Sequence, residues 1–406
     1  MIMRRAAAGT AIVALGAGSG AWAQCQYDLA SVHGPDCDPL PTSPTRGSGI
    51  NEAGQVVGYY TVCAIGTGEA FLWDGGPDLI TLERPAGVGG AGAHDINDAG
   101  LIAGTMILDG IGDRAFVHDG TGFIDLGVPA GGLLSFGGAI NNQGDVVGTW
   151  GISLQAFLYR DGLMIDLNAD LGTPHSEAMD INDAGQVTGW MGLSQVEGGE
   201  AFIWQNGELT ALGNPPNGSF GTGKAINEVG QVAGYAWIGQ FPNVVTRAIL
   251  WEKGEIVDLG VLPGFERSGA FDVNDHGQIV GRAWGVDGNP NIDAGFIWQK
   301  GVMHDLNDLI LSNTGAEILC ATAINNQGQV TGMGHNTIGE VVGVLLTPVD
   351  VPIGDLDCDC MVNFDDFLML VDGWGPCPPG GACPADLNGD GTVSVVDFLI
   401  MLANWG

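Results

Sequence analysis

The sequence predicts an all-β fold, a seven-bladed β-propeller of four-stranded blades, followed by a small α-helical domain with paired calcium loops. The phrase Ile-Asn-x-x-Gly, with Val for Ile in one copy, recurs seven times at intervals of 41 to 51 residues. Such a period is typical of a repeat architecture. Beyond residue 347 the phrase is absent, and an aspartate-rich repeat takes its place. The asparagines of the seven copies are Asn51, Asn97, Asn141, Asn182, Asn227, Asn274 and Asn325.

The composition supports many short strands and restricts the partners. The chain has 70 Gly among 406 residues, yet 45% of its residues are hydrophobic. This combination favours strands joined by tight turns. The formal charge is −35, with only 12 Lys and Arg. A surface this acidic repels nucleic-acid phosphates and anionic lipid, so we expect no nucleic-acid partner. It is compatible with Ca²⁺ or a cationic partner, and equally with solubility alone.

The first 23 residues predict a secretory signal peptide. A basic head at residues 1–5 precedes an apolar run at residues 6–18, which is too short to span a bilayer. Residues 21–23, Ala-Trp-Ala, are typical of a cleavage site. The alternative is a buried N-terminal helix. Since no later apolar run reaches membrane length, we expect no membrane span and a secreted protein, extracellular or at the cell surface.

Each repeat contains four strand-length segments, and we assign residues 24–347 to the propeller. In the repeat phrase, Asn opens a turn because its side chain can bond the backbone two residues on. Gly closes the turn because that position needs φ > 0. A second hairpin has its own signal, as in Gln205-Asn206-Gly207. Two hairpins in series make a meander of the size of a propeller blade.

Two departures from the repeat are informative. The seventh repeat lacks a fourth strand, and residues 26–30 are similar to the Asp-Leu strands of other repeats. We therefore predict that an N-terminal strand completes the last blade, which would remove exposed sheet edges. In addition, an aspartate precedes the Ile or Val of the phrase only in even repeats, at Asp95, Asp180 and Asp272. This alternation hints at duplication of a multi-blade unit.

The repeats resemble a known family. The triplet Arg114-Ala115-Phe116 and its counterparts at 155–157, 200–202 and 247–249 follow an Ile-Asn-x-x-Gly-x-Val-x-Gly hairpin. In this they resemble the HAF repeat of extracellular proteins, over about residues 47–348. His does not occupy the first position of the triplet in any repeat. The resemblance implies an extracellular location and no particular reaction.

The propeller shows no catalytic constellation in its sequence, so we predict no catalytic residue. Its histidines fall at non-equivalent places, and zinc-ligand spacings and Gly-x-Ser-x-Gly are absent from the repeats. Aromatic residues form two sets. The set within the third strand is predicted to be core: Trp73, Trp204, Trp251 and Trp298. For the set that follows the second-strand glycine, core packing and sugar-stacking platforms remain equal alternatives: Tyr59, Tyr60, Trp150, Trp190, Tyr235, Trp237 and Trp284.

The C-terminal segment contains a duplicated loop that predicts Ca²⁺ binding. Residues 348–353 form a short linker, and residues 354–406 hold two copies of the motif, 31 residues apart. The second copy spaces oxygen ligands like an EF-hand loop, with Gly391 at the sharp turn and Asp rather than Glu at the last position. Its ligands would be Asp386, Asn388, Asp390, the carbonyl of Thr392, Ser394 and Asp397.

The first copy predicts a second Ca²⁺ site with one anomaly. Its ligands would be Asp355, Asp357, Asp359, the carbonyl of Met361, Asn363 and Asp366. Cys360 replaces the glycine of the sharp turn, so this loop is weaker or differently shaped. Export permits disulfides, and a bond from Cys358 or Cys360 to Cys377 or Cys383 would brace the loop. Four cysteines allow three connectivities, so the pairing stays open, as it does for Cys25, Cys37, Cys63 and Cys320.

The two loops, each followed by an apolar helix that ends in Trp-Gly, resemble a type I dockerin. This resemblance implies two bound Ca²⁺ ions and a cohesin-like protein module as partner, often in assemblies that degrade polysaccharides. The leading hypothesis is a secreted, non-enzymatic binding or scaffold protein whose propeller is presented through Ca²⁺-dependent docking. One alternative is a propeller carbohydrate-active enzyme, a glycoside hydrolase or lyase. The other is a lectin-like binder of extracellular carbohydrate.

Overall fold

The structure is a computed structural model of the chain. It describes residues 26–32, 34, 44–62, 66–76, 78–129, 131–194, 198–239, 243–285, 293–310, 316–349, 353–356, 362–378 and 383–405. The chain divides into two compact units between residues 351 and 352. The predicted signal peptide lies outside the described residues. None of the described helices is long and apolar enough to cross a membrane.

The first unit consists almost entirely of β-strands. A single strand, β1 (Gln26–Val32), precedes the repeats. The first three repeats contain β2 (Thr45–Ile50), β3 (Val56–Thr61), β4 (Gly68–Trp73), β5 (Ile80–Thr81), β6 (Val88–Ile96), β7 (Ile102–Leu108), β8 (Gly112–His118), β9 (Phe123–Asp125), β10 (Ser135–Ile140), β11 (Val146–Trp150), β12 (Gln155–Arg160) and β13 (Leu163–Asp166). The other four contain β14 (His175–Ile181), β15 (Val187–Ser194), β16 (Gly198–Gln205), β17 (Glu208–Gly213), β18 (Gly218–Ile226), β19 (Val232–Ile238), β20 (Val245–Glu252), β21 (Glu255–Asp258), β22 (Arg267–Val273), β23 (Ile279–Trp284), β24 (Asp293–Gln299), β25 (Val302–Asp305), β26 (Glu317–Ile324), β27 (Val330–His335) and β28 (Val341–Val349).

The strands of each repeat pair as an antiparallel meander. Strands that are neighbours along the chain are neighbours in the sheet, in the order β2-β3-β4-β5 for the first repeat. A parallel contact between Gly199 in β16 and Phe220 in β18 joins the fourth and fifth repeats into one eight-stranded sheet. The second hairpins have the φ > 0 residues that the sequence predicts, such as Asn206 at 51° and Gly207 at 88°. The protein is therefore a β-propeller with four-stranded blades.

The N-terminal strand completes the sheet of the last repeat, as predicted. β1 pairs antiparallel with β28 in a register that runs from Gln26 opposite Val349 to Val32 opposite Gly343. The sheet order is β1-β28-β27-β26. One boundary needs correction, because β28 extends through residue 349 and the predicted linker began at 348. The backbone of those two residues is paired with β1, so they belong to the sheet.

The propeller core repeats the same contact between the second and third strands. The aromatic residue of the third strand is fully buried in five repeats: Phe71, Phe116, Phe157, Phe202 and Phe296. Its ring packs on the glycine of the second strand. A Cβ atom on Gly104 would lie 2.1 Å from the carbonyl oxygen of Gly92 and 2.8 Å from the Phe116 ring. The Val-x-Gly part of the repeat is thus a packing requirement, and each buried ring stabilises the fold by about 1.5–3 kcal/mol.

Two short helices interrupt the propeller strands, and the sequence analysis did not predict them. α1 (Asn168–Leu171) follows β13 in the third repeat, and α2 (Leu306–Leu309) follows β25 in the sixth. The Asp305 side chain caps α2 by accepting a hydrogen bond from the N–H of Asn307 at 2.9 Å. The same Asx bond occurs in the Asp-Leu-Gly endings, where the N–H of Gly127 donates to Asp125 at 2.8 Å. The difference is the third residue: Gly127 has φ of 77° and turns the chain, whereas Asn307 continues into a helical turn.

The second unit is small and helical. β29 (Gly375–Pro376) pairs with β30 (Thr392–Val393), and the helices are α3 (Phe364–Asp372) and α4 (Val395–Ala403). Both helices begin with a capping box, in which the N-cap residue is Asn363 or Ser394. The buried core comprises Leu356, Val362, Leu370, Ala385, Val393 and Met401. The two copies of the motif therefore share one apolar core.

Candidate functional site

The asparagine of the repeat phrase stabilises its own turn. Oδ1 of Asn51 accepts hydrogen bonds from the N–H groups of Ala53 at 3.1 Å and Gln55 at 3.0 Å. Gly54 closes the turn with φ of 75°. Both features were predicted from the sequence. All seven asparagines are buried, with 3–5% of their surface exposed.

The same asparagines bond to one another in a closed circle. The Nδ2 of each donates to the backbone carbonyl of the asparagine in the next repeat, at 2.9–3.1 Å. The circle runs from Asn51 through Asn97, Asn141, Asn182, Asn227, Asn274 and Asn325, and returns to Asn51. The first strands of all repeats therefore end around one central axis.

The residues that follow the asparagines form a second circle. The backbone N–H of each donates to the side-chain oxygen of its counterpart in the next repeat, at 2.7–3.0 Å. The members are Glu52, Asp98, Asn142, Asp183, Glu228, Asp275 and Asn326. Burial and repulsion from neighbouring aspartates raise the pKa of Glu52 and of Glu228. Five carboxyl groups thus face one mouth of the propeller channel.

Three aspartates bridge successive repeats next to these circles. Oδ1 of Asp272 accepts the N–H of Val273 at 2.8 Å, and Oδ2 accepts the N–H of Ile324 in the following repeat at 2.7 Å. Asp95 and Asp180 make the same pair of bonds. One carboxylate satisfies amides of two repeats, so an aspartate is needed only in every second repeat. The alternation that hinted at duplication has this structural cause.

The bridging aspartates are titratable groups in a confined space. Burial raises the pKa of Asp272 to about 8, and repulsion from Asp180 and Asp95 adds to the shift. The pKa of Asp95 is raised to about 7 and that of Asp180 to about 6, again mainly by burial. Asp95 and Asp180, together with the two circles, line a cavity of about 340 Å³ on the axis. The sequence analysis assigned no site here, although the alternating aspartate was its visible signal.

The two aromatic sets differ in exposure. In the third-strand set, Trp73, Trp204 and Trp251 are at most 6% exposed, which confirms their predicted place in the core. The fourth member, Trp298, is only half-buried and packs against the core from its edge. In the second-strand set, Trp190 and Tyr60 are buried. The other members are half-buried: Tyr59, Trp150, Tyr235, Trp237 and Trp284. The second set therefore contains both core residues and partly accessible ones.

The second predicted calcium loop brings its acidic side chains onto one short segment. The Asp386 carboxylate accepts the N–H of Asp390 at 3.1 Å and that of Gly391 at 2.7 Å. Asp397 is buried and accepts the N–H of Asn388 at 3.1 Å and that of Ser394 at 2.8 Å. Desolvation raises the pKa of Asp397, but these hydrogen bonds outweigh it and the pKa is lowered.

This donor set fits a hard cation such as Ca²⁺. Residues 386 to 397 present carboxylate, amide, hydroxyl and carbonyl oxygens, and a depressed carboxyl pKa keeps Asp397 ionised at neutral pH. Gly391 has φ of 86°, which suits the sharp turn that the loop pattern requires. Asp397 also completes the capping box of α4. The loop and the helix start are therefore one structural element.

The first loop is described only in part. Asp355 and Asp366 are buried, and the Asp366 carboxylate accepts the N–H of Leu356 at 2.6 Å and that of Asn363 at 2.7 Å. The bond from Asn363 is equivalent to the bond that Asp397 accepts from Ser394, whereas the bond from Leu356 comes from one position before the equivalent of Asn388. Asp357, Asp359 and Met361 lie outside the described residues, as do Cys358 and Cys360.

The disulfide in this unit corrects the predicted bracing. Cys377 is bonded to Cys383, so neither is available to Cys358 or Cys360. Their sulfurs and an Asp386 oxygen lie within 4.8 Å of one another, but the disulfide leaves no thiolate to ligate a metal. In the propeller, Cys320 is free and buried, and burial raises its pKa to about 12. Cys25, Cys37 and Cys63 lie outside the described residues.

Both helices of the second unit expose an apolar face, which the sequence analysis did not identify. On α3 and the residue pair after it, the exposed fractions are 61% for Phe364, 50% for Leu368, 44% for Val371 and 52% for Trp374. On α4 they are 57% for Val395, 58% for Leu399, 45% for Leu402 and 43% for Trp405. Each residue of one face has its counterpart 31 positions along the chain in the other. The duplicated motif thus presents two matching apolar surfaces, the α3 face and the α4 face.

Comparisons with known proteins support only the fold. No family model matches the chain, and no curated protein does. The propeller domain of the Trilobed protease from Pyrococcus furiosus is similar, with a TM-score of 0.49 and 9% identity over 75% of this chain and 93% of that chain. YCF48 bound to a D1 peptide gives a TM-score of 0.42 and 9% identity over 80% and 95%.

A third similar structure is the acylaminoacyl peptidase from Pyrococcus horikoshii, with a TM-score of 0.40 and 13% identity over 65% of this chain. The match covers 44% of the peptidase, so the chain spans less than half of that protein's length. At identities this low, the similarity is one of propeller architecture.

Proposed function

We propose that this protein is a secreted, non-enzymatic binding or scaffold protein. Its seven repeats form seven blades, and a Ca²⁺-dependent docking module presents them in an extracellular, polysaccharide-related assembly. The observation that carries this proposal is the matching pair of apolar faces on α3 and α4. Each face follows an oxygen-rich loop of the type that Ca²⁺ organises.

The exposed faces favour docking to a protein partner. Contiguous apolar patches are rare on the surface of monomeric soluble proteins, and where they occur they mark interaction surfaces. Each face ends on a tryptophan, Trp374 or Trp405, and tryptophan is enriched among residues that dominate binding energy. In a unit of about 50 residues, two such faces favour a protein partner with a complementary apolar surface. The dockerin resemblance suggests a cohesin-like module as this partner.

Ca²⁺ would make this docking conditional. When bound, the ion neutralises the carboxylates of the loop and holds their oxygens around one point. In the second loop these residues are Asp386, Asn388, Asp390, Thr392 through its carbonyl, Ser394 and Asp397. Asp397 and Ser394 are also the capping residues of α4. Order in the loop is therefore coupled to order in the helix that bears the α4 face.

The propeller supports binding better than catalysis. In Asp95, Asp180 and Asp272, both carboxyl oxygens accept hydrogen bonds from backbone N–H groups, which is a structural role. The half-buried Trp and Tyr residues favour the lectin-like alternative, since such rings offer flat faces to sugars. A glycoside hydrolase or lyase remains the alternative that the dockerin resemblance suggests.

Two measurements test the proposal on the full chain. Surface plasmon resonance against a type I cohesin module, in Ca²⁺ and in EDTA, should show binding in Ca²⁺ only. Incubation with a panel of polysaccharides should give no release of reducing ends. Reducing-end release would refute the non-enzymatic role, and absence of cohesin binding in Ca²⁺ would refute the docking role.

A further inference from the structure

The first strand of every repeat contains a bulge at an equivalent place. The register with the second strand shifts within Gly47–Gly49, Gly137–Ala139 and Gly223–Ala225, for example, so that one residue of the first strand is left unpaired. The other four repeats have the same irregularity. The unpaired residues, which we term the bulge ring, are Ser48, His94, Gly138, Met179, Lys224, Phe271 and Thr322.

The bulge ring faces the propeller channel. Its members are partly exposed, whereas the residues immediately before them in the first strands are all buried. Side chains of the ring contact the backbone of a neighbouring repeat next to its bulge: His94 Nδ1 lies 2.6 Å from the carbonyl oxygen of Gly137, and Thr322 Oγ1 donates to the carbonyl of Gly47 at 2.9 Å. The first strands surround the central axis, so these side chains line the channel between the blades.

The bulge ring is where the repeats cease to be alike. The asparagine circle is invariant across repeats because the turn and the neighbouring repeat both require it. The bulge position holds Ser, His, Gly, Met, Lys, Phe and Thr in turn. The fold does not dictate a residue type there. The side chains at this position are therefore free to serve a function other than holding the blades together.

Lys224 is the member of the ring whose burial reduces the stability of the fold. Its ammonium lies 3.6 Å from the Met179 sulfur and 5.9 Å from the centre of the Tyr235 ring. Within the described residues no carboxylate forms an ion pair with it. Burial lowers the pKa of Lys224, although the charge of Glu177 opposes the shift. A desolvated ammonium without a bonded carboxylate reduces stability, and only three lysines occur in the chain.

We propose that Lys224 anchors the anionic group of an acidic sugar that enters the channel. A partly buried ammonium next to an aromatic ring binds an oxyanion strongly, because the ion pair replaces hydration that burial has already removed. Met179 and Tyr235, which lie next to the ammonium, supply apolar and aromatic surface for the sugar ring. This inference names a ligand class for the proposed binding role and rests on it.

Binding experiments on the full chain test the assignment. Calorimetry with trigalacturonate, a sulfated trisaccharide and neutral galactotriose, at equal ionic strength, separates carboxylate, sulfate and uncharged ligands. We expect an acidic trisaccharide to bind and the neutral one to bind at least about tenfold more weakly. Lys224→Met should weaken binding of the acidic ligand by about tenfold or more, and Lys253→Met, at an exposed position, should not. Equal binding of the neutral sugar, or none by the acidic ones, overturns the proposal.

Two further measurements test whether Lys224 has only a structural role. Lys224→Met should leave the unfolding midpoint unchanged or raise it, since the variant removes a buried charge; a large decrease would overturn the proposal. Acylation followed by peptide mass spectrometry should show that an acidic trisaccharide protects Lys224, with Lys253 and Lys300 as internal controls. A chain that still binds cohesin in Ca²⁺ but no acidic sugar refutes this inference alone. Conversely, Lys224-dependent binding without docking refutes only the docking role.

Discussion

The side-chain amide of Asn325 donates to the backbone carbonyl of Asn51 at 3.0 Å, across 274 residues of sequence. Six bonds of the same kind link successive repeats, and this seventh closes the circle. The last and first repeats are joined again where the N–H of Asn326 donates to Glu52 at 3.0 Å. Separately, β1 completes the sheet of β28. Closure thus has three independent parts, and the propeller should unfold as one cooperative unit.

Removal of the closing side chain should cost as much as removal of an interior one. Asn325 makes four side-chain hydrogen bonds, so Asn325→Ala should lower the free energy of unfolding by about 2–4 kcal/mol. Asn182→Ala removes the equivalent interactions within the circle and should have a similar effect. Chemical denaturation measures both, with the exposed Asn243→Ala as control. A much smaller effect for Asn325 would show that closure of the circle adds no stability.

Stability should fall as the pH rises through the titration of the bridging aspartates. Folding raises the pKa of Asp180, Asp95 and Asp272 to about 6, 7 and 8, from an ordinary value of 3.8. The folded state therefore binds more protons than the unfolded state in this interval. Their contribution to stability is fully present below the ordinary pKa and is lost as the pH passes through the folded values. Denaturation midpoints between about pH 5 and pH 9 test this decrease.

The variant Asp272→Asn isolates one of these groups. An amide cannot titrate, so the decrease above about pH 7 should become shallower. The amide nitrogen would also face a backbone N–H, which should cost about 1–3 kcal/mol at low pH. Asp161→Asn, in an exposed hairpin turn, controls for the change in net charge. An unaltered pH profile in Asp272→Asn would contradict the assignment of this titration to the bridge.

The sequence was sufficient to predict features that depend on residues close together along the chain. The Asn-x-x-Gly turn follows from the reach of one side chain and the φ of one glycine, and both are present in the structure. The N-terminal strand was recognisable because residues 26–30 are similar to the fourth strands of other repeats. The count of strands per blade follows from two hairpins in series. The turn and the strand count need no knowledge of what lies beyond the repeat, and the N-terminal strand was found by its similarity to strands of other repeats.

Features that depend on a distant partner were not predictable in the same way. The second acceptor bond of Asp95 goes to the N–H of Ile140, 45 residues away, so its bridging role appears only when the repeats are in place. The bulge that turns Lys224 into the channel is a property of strand register. The Cys377–Cys383 bond was one of several allowed connectivities. In each case the residue could be singled out in the sequence, but its partner could not be identified.

Each calcium loop should lose metal binding independently. Asp386→Ala removes a carboxylate from the second loop, and Asp355→Ala removes its counterpart from the first, so each should reduce the Ca²⁺ stoichiometry by one. Calorimetry after EDTA treatment, on the full chain, measures this. Asp365→Ala is a control, because Asp365 lies in the first turn of α3 and outside the ligand pattern. If neither loop variant alters Ca²⁺ binding, the loop assignment is wrong.

The two apolar faces should act as alternatives in docking. Leu368 on α3 and Leu399 on α4 are 50% and 58% exposed, so substitution by Asp should hardly change the free energy of unfolding. Either single variant leaves one intact face and should retain cohesin binding. The double variant Leu368→Asp/Leu399→Asp should lose on the order of 2 kcal/mol or more of binding free energy.

The pattern across these variants identifies the working surface. If Leu399→Asp alone abolishes cohesin binding in Ca²⁺, only the α4 face docks, and the reverse holds for Leu368→Asp and the α3 face. Undiminished binding by the double variant, with an unchanged unfolding midpoint, would exclude both faces as the docking surface. Because the faces repeat at the same 31-residue offset as the loops, a partner that binds one face meets apolar side chains at the equivalent places on the other. Two of the four pairs are identical, Leu368 with Leu399 and Trp374 with Trp405. The equality of the two single variants is therefore the sharpest expectation.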